Sequence, residues 1–269
     1  PIERASNLIP QILNKRKFCY LQGFQGIRLI IYGMFKKVVI ADSLSPVIDN
    51  IFLNPHEFGG GTLFLGAIYF SFQIYCDFSG YSDIAIGTSK LFGIDLMSNF
   101  NFPYFSRNIG EFWRKWHISL STWFRDYLYI PIGGSKKGKT ISTRNIFIIF
   151  IVSGFWHGAK WTFLFWGLFH AILFIPTFIF KKNRKYISSE IGEKNLLPTT
   201  KELIQIAITF SLVTIGWIFF RSNNLLNSIK YLKGLTTGYN KELVFEIMLV
   251  RYILPFIILE YILYKGKFQ

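Results

Sequence analysis

Cysteine and acidic side chains are the scarce components of this sequence. Its two cysteines, Cys19 and Cys76, lie far apart with no metal-ligand spacing, which excludes a cysteine-based metal centre. Cys76 reads instead as a small buried apolar residue of a membrane helix. Asp and Glu number 15 against 30 Lys and Arg, a formal charge of +15. In a soluble domain that surplus would suggest nucleic acid. Here the basic residues cluster at the ends of apolar runs, as the positive-inside rule describes, and no nucleic-acid partner is expected. A serine nucleophile elbow, a phosphate-binding glycine loop and a zinc helix are all missing. So are a repeat of fixed period and an inverted pair of broken helices. The chain opens at Pro1 with neither a methionine nor a signal peptide, and it stops at Gln269 soon after an apolar run. It therefore reads as part of a longer membrane protein.

What is abundant is apolar and aromatic surface in long runs: 51% hydrophobic and 19% aromatic residues, with a mean hydropathy of +0.33. Ser6 and Asn7 are candidate caps of a peripheral N-terminal helix. Phe24 to Leu44 reads as a tilted helix whose Lys36 and Lys37 reach out to headgroups. Asn54-Pro55 and Gly59 to Gly61 punctuate a loop. Thr62 to Phe92 is long enough to cross a hydrocarbon core of about 30 Å. It carries Asp77 and Asp83, costly at that depth unless paired or facing water. Pairing with Arg114 or Arg125, a proton-relay role and an interfacial position all remain open for them. Pro103 and Gly110 argue against a clean span in the next stretch.

Asn145 to Trp156 is apolar for only about twelve residues, roughly 18 Å of helix, which is too short to cross. Lys160 to Phe180 and Leu203 to Phe220 are long enough, and an amphipathic stretch follows from Leu225 to Leu235. Leu243 to Tyr264 forms a last span that leads to Lys265 and Lys267. The loops around Lys136–Lys139 and Lys181–Lys185 are both basic and are expected to face the cytoplasm. His157 then lies at the break between the two arms, away from the basic side.

The chemistry gathers on two histidines. In FWRKWHISLSTWFRDYLYIPIGG, residues 112–134, Trp113, Trp116, Leu120, Trp123, Phe124 and Tyr127 recur at helical spacing. His117 rides on the same strip, Pro131 stops the helix, and Gly133-Gly134 opens a turn. His157 follows in SGFWHGAKW, among apolar residues. A neutral imidazole in an apolar site can take a proton from a hydroxyl as that hydroxyl attacks an acyl carbon. His170 is read as structural, and His56, in a loop beside Pro55, carries no signal. Two histidines without a third close Cys, Asp or Glu do not point to a metal.

FWRKWHISLSTWFRDYLYIPIGG, with RNIFIIFIVSGFWHGAKWTFLFWGLFHA after it, resembles the membrane-bound O-acyltransferase (MBOAT) family. PIERASNLIPQI, GMFKKVVIADSL, YCDFSGYSDIAIG and GWIFFRS resemble its bacterial branch, whose members O-acetylate alginate and peptidoglycan or pass D-alanine to teichoic acids. The resemblance covers nearly the whole chain and is nearest to the alginate O-acetylation proteins. It implies an all-α polytopic membrane bundle, with re-entrant or broken helices around a tunnel. Residues 1–269 would form a single membrane acyltransferase domain without the family's N-terminal helices. His157 matches the family's essential histidine and His117 its second active-site position, an asparagine in many eukaryotic relatives.

The implied activity is transfer of an acetyl or other short acyl group from a cytoplasmic thioester, acetyl-CoA or an acyl carrier, toward an extracytoplasmic polysaccharide. His157 would be the general base, and His117 would orient the donor or polarise its carbonyl. Trp113, Trp116 and Trp156 would line the tunnel or pack the core. No bound cofactor or metal is implied. The implied partners are the lipid bilayer, a glycan acceptor and a periplasmic or surface esterase-like transferase, in the inner (cytoplasmic) membrane. D-alanyl transfer to teichoic acid, a proton-coupled transporter using Asp77, Asp83, His117 and His157, and a non-catalytic scaffold are the alternatives.

Overall fold

The computed structural model describes residues 1–136, 138–187, 189–193, 197–236 and 247–266. Among these residues the regular structure is helical, with no strand. Helix α1 (Ala5–Leu13) starts from Arg4, so Ser6 and Asn7 lie inside it rather than capping it. Asn7 donates to the Glu3 carboxylate instead, at 3.0 Å.

Three segments then run end to end: α2 (Tyr20–Met34), a π-helical turn (Phe35–Ala41) and α3 (Asp42–Leu53). They lie antiparallel to the long helix α4 (Gly60–Leu91). Glycines explain how closely they approach. A β-carbon at Gly33 would stand 2.6 Å from the Gly80 carbonyl oxygen, and one at Gly87 would stand 2.5 Å from that of Gly26. Both helices space these glycines seven residues apart, so two backbone-to-backbone contacts form along one seam. Small residues permit such contacts between membrane helices.

The seam decides the fate of the charges nearby. Lys36 is 3% exposed and pairs with Asp83 at 2.5 Å, while Lys37 pairs with Asp77 at 2.6 Å and Asp42 at 2.8 Å. Lys36 therefore does not reach out to headgroups, and the acids are not partnered by Arg114 or Arg125. The π turn sits where the two lysines must face α4. Beside them, Tyr32 and Tyr75 donate to the two oxygens of buried Glu260, at 2.5 and 2.6 Å. Replacing Lys36 by Met leaves Asp83 without its cation and is expected to cost up to about 3–5 kcal/mol of stability. The double change Lys36→Met with Asp83→Leu should recover most of that loss. Thermal unfolding in detergent measures both, and a single variant as stable as the parent would show that the pair carries little.

After a short 3₁₀ turn (Pro103–Phe105) come α5 (Ile109–Lys115), α6 (Ile118–Phe124) and a second π turn (Arg125–Tyr129). Helix α7 (Lys139–His157) begins six residues before the apolar run, because its polar first turns have partners. Ser142 donates to the Gly138 carbonyl at 2.8 Å, and buried Asn145 donates to that of Gly134 at 3.2 Å. The nineteen residues of α7 rise about 27 Å from Lys139 to His157, but the added turns are polar and the helix is not among those apolar enough to cross a membrane.

Helix α8 (Trp161–Ile179) folds back on α7, with Gly154 against the Phe163 carbonyl and Gly167 against that of Phe150. Helix α9 (Thr200–Arg221) starts from a capping box in which Thr199 and Glu202 exchange hydrogen bonds. Among the described residues, α8 and α9 are the helices long and apolar enough to cross a membrane. Ser71 of α4 meets Thr214 of α9 at 3.0 Å, which ties the longest helix to the second of these. The amphipathic α10 (Leu225–Gly234) follows. Of the expected last span, residues 243–246 lie outside the described residues, as does Lys267; a π turn (Leu249–Ile253) and α11 (Leu254–Gly266) form the rest.

Candidate active site

The aromatic strip expected to be one helix is two. Helix α5 is capped by Asn108, whose side chain accepts from Glu111 N at 2.8 Å, and it ends at Lys115. Trp116 is extended, and His117 takes the left-handed conformation at φ +42° before α6 begins. The backbone groups freed by this break are satisfied from the 99–101 loop. Asn101 N donates to Lys115 O at 3.0 Å and Ile118 N to Asn99 O at 2.9 Å. The Asn99 side chain accepts from Ser119 Oγ at 2.5 Å and donates to Ser82 Oγ at 3.0 Å. His117 is thereby held at a corner rather than on a helix face. It is 6% exposed, with the Phe78 ring edge-on at 4.6 Å.

His157 is the last residue of α7. Gly158 follows at φ +149°, and a β-carbon there would stand 2.9 Å from the Phe163 ring. Only glycine makes this exit without strain, which gives the Trp156-His157-Gly158 triplet a physical reason. The His157 ring packs against Trp166 at 5.2 Å and Phe220 at 5.0 Å. Trp156 stands beside both imidazoles, with ring centroids 5.0 Å from that of His157 and 6.1 Å from that of His117.

Both histidines line one cavity of about 940 Å³. Trp113, Trp116 and Trp156 line it as well, together with Phe78, Trp166, Trp217 and Phe220. Arg125, Lys139, Lys181 and Arg184 also border it. Lys139 opens α7 and His157 closes it, so the basic rim lies about 27 Å along that helix from the histidine. Lys139, Lys181 and Arg184 are exposed and make no ion pair with a described residue. Residues from both basic loop regions thus border the same cavity.

A second, polar cavity of about 410 Å³ adjoins the first. Its lining includes Asp49, Gln73, Asp77, Lys160, Arg221 and Asn223, with Arg221 and Asp49 paired at 2.5 Å. Ile74 and Phe220 line both cavities, so they form the partition between them. The Phe220 ring is also the one against which His157 packs.

Of the acids weighed for a relay with the histidines, Asp77 borders the second cavity and Asp83 borders neither, and each is bound to a lysine. His170 is fully buried between Trp113 and Trp166, each 5.0 Å away, and lines neither cavity. His56 is exposed beside Glu57. Sequence reasoning passed over Asn99, Trp166, Trp217 and Phe220. GWIFFRS, which contains Trp217 and Phe220, carried a resemblance but no role, and the basic loops had served only for topology.

The profile of the MBOAT, membrane-bound O-acyltransferase family, matches residues 14–188. The chain belongs to that family. As an MBOAT chain it is a membrane protein, in keeping with the apolar lengths of α8 and α9. A probable alginate O-acetylase AlgI of Pseudomonas syringae is 42% identical to it over 227 residues, covering 84% of this chain and 41% of the relative. The peptidoglycan O-acetyltransferase of Helicobacter pylori is 39% identical over 237 residues, covering 87% and 43%. The teichoic acid D-alanyltransferase of Bacillus subtilis is 32% identical over 209 residues, covering 73% and 50%. The chain thus spans about two fifths to one half of the length of these curated relatives.

Proposed function

We propose that this chain carries the reaction centre of a membrane O-acyltransferase, one that moves an acetyl or other short acyl group from a thioester to a hydroxyl of a polysaccharide. The observation that supports this most is the placing of His117 and His157 on one cavity, apolar in its depth and basic at its rim. The thioester arm would enter past Arg125, Lys139, Lys181 and Arg184, which suit the phosphates of coenzyme A or of an acyl carrier's prosthetic arm. The hydroxyl would approach from the second cavity, whose polar lining suits a sugar and whose partition touches His157.

His157 removes the hydroxyl proton as the oxygen attacks the acyl carbon. The C–S bond then breaks, the proton passes to the departing sulfur, and an ester and a free thiol result. His117, at the corner opposite Trp156, orients the donor or polarises its carbonyl. The higher identity of the O-acetylating relatives favours acetyl over D-alanyl. An esterase-like partner outside the membrane would complete delivery to the glycan. The bacterial inner membrane, crossed several times, is the setting this reading requires.

The test is to reconstitute the whole protein in vesicles with radiolabelled acetyl-CoA and hydroxylated acceptors. Thiol release matched by ester formation is expected, and no thioester consumption with any acceptor overturns the proposal. Orientation has its own check. Single cysteines at Ser135 and Asn183, in a background without Cys19 and Cys76, should resist an impermeant thiol reagent in intact cells and react after permeabilisation. Labelling of both in intact cells would place the basic rim outside, and labelling of one alone would separate two loops that border the same cavity.

A further inference from the structure

We infer that Trp217 sets the length of the acyl group that the cavity accepts. The inference rests on the acyl-transfer reading above and adds to it a determinant of donor choice. Trp217 sits on α9, is 1% exposed and lines the cavity that holds both histidines. Its indole stacks on Trp166 at 5.8 Å and 21°, lies 4.9 Å from Trp116, and meets the Phe220 ring edge-on at 5.5 Å. Those three neighbours are also the residues nearest the chemistry. Trp116 precedes His117 in the chain, and Trp166 and Phe220 pack on His157. Trp217 is thus the central ring of a floor that spans the two histidines.

The connectivity of a thioester says what that floor would touch. Its acyl carbon carries an oxygen, a sulfur and the acyl tail in one plane. When that carbon lies within reach of a hydroxyl served by His157, the sulfur and its long arm must run back toward the basic rim. The tail points the other way, toward the rings of Trp116, Trp166 and Trp217. These rings are buried, and Trp217 packs against both of the others, so we take their floor as the stop that admits a methyl group and excludes a longer chain. Interiors relax only partly when a large side chain is cut back, so a smaller residue at 217 would leave space continuous with the cavity. In an apolar pocket one methylene more or less is worth about 10–200-fold in discrimination.

The experiment uses the whole protein and measures kcat/KM with acetyl-, propionyl- and butyryl-CoA as probes. The unmutated protein should favour acetyl over butyryl by at least about 10-fold. Trp217→Leu should move that ratio toward butyryl by about 10–100-fold while acetyl transfer persists. Trp217→Phe keeps an aromatic ring and the helix, and should shift the ratio in the same direction by less. It decides the matter if the leucine variant fails to accumulate. An unchanged ratio in an accumulating variant, or equal use of acetyl and butyryl donors by the unmutated protein, overturns the inference. A protein that uses no thioester at all overturns the acyl-transfer reading itself, a different outcome from an active enzyme whose chain-length preference ignores residue 217.

Discussion

Replacing His157 by alanine in the whole protein is expected to lower acyl transfer about 10²–10⁴-fold, the usual cost of losing a general base. Folding should be nearly intact, since the imidazole's contacts in the structure are with rings, at 5.0 Å to Trp156, 5.2 Å to Trp166 and 5.0 Å to Phe220. A void left by alanine is a competing cause of lost activity. His157→Phe controls for it, because phenylalanine restores an aromatic ring among those neighbours and has no basicity. Both variants should reach the membrane at normal abundance and both should be inactive. The assay is O-acylation of the acceptor in cells, with abundance followed by blot. Normal acylation by either variant at normal abundance would remove His157 from the role of base.

The elements around His157 were legible in the sequence because nothing distant competes with their local signals. Helices α8, α9 and α10 begin and end within about three residues of the expected boundaries, at Lys160, Phe180, Leu203, Phe220, Leu225 and Leu235. Glycine marks the end of α7 in the sequence as in the fold. Two other features depend on partners far along the chain, and a third on the turn just before its helix. The break at His117 falls within an unbroken helical pattern, and it is stabilised by Asn99, eighteen positions earlier. The partners of Asp77 and Asp83 follow from a glycine seam that aligns α2 with α4, forty or more residues apart. The early start of α7 depends on the carbonyls that Ser142 and Asn145 find in the turn before it. The two histidines were recognisable as a pair from motif resemblance. The Trp217 floor and the Phe220 partition were not, because aromatic residues in an apolar span carry the same pattern whether they pack a core or wall a cavity.

His117 should respond differently, for reasons of both chemistry and backbone. A residue that positions a donor keeps much of its value when replaced by a neutral amide of similar reach, whereas a residue that must accept a proton does not. The structure adds a second requirement. His117 sits at φ +42°, where asparagine is among the few non-glycine residues found routinely and β-branched residues are outliers. His117→Asn therefore preserves both the corner and a polar group near the cavity, and it should retain measurable transfer. His117→Gly preserves the corner alone; it should reach the membrane normally but transfer poorly. His117→Val loses both, with a backbone cost of about 1–3 kcal/mol, and should reduce abundance as well as activity. His157→Asn belongs in the same experiment and should be nearly inactive, since an amide has no useful basicity at neutral pH. Transfer is to be measured at saturating donor with matched expression. Equal losses in His117→Asn and His157→Asn would mean that the two imidazoles share one role, and activity surviving only in His157→Asn would make His117 the base.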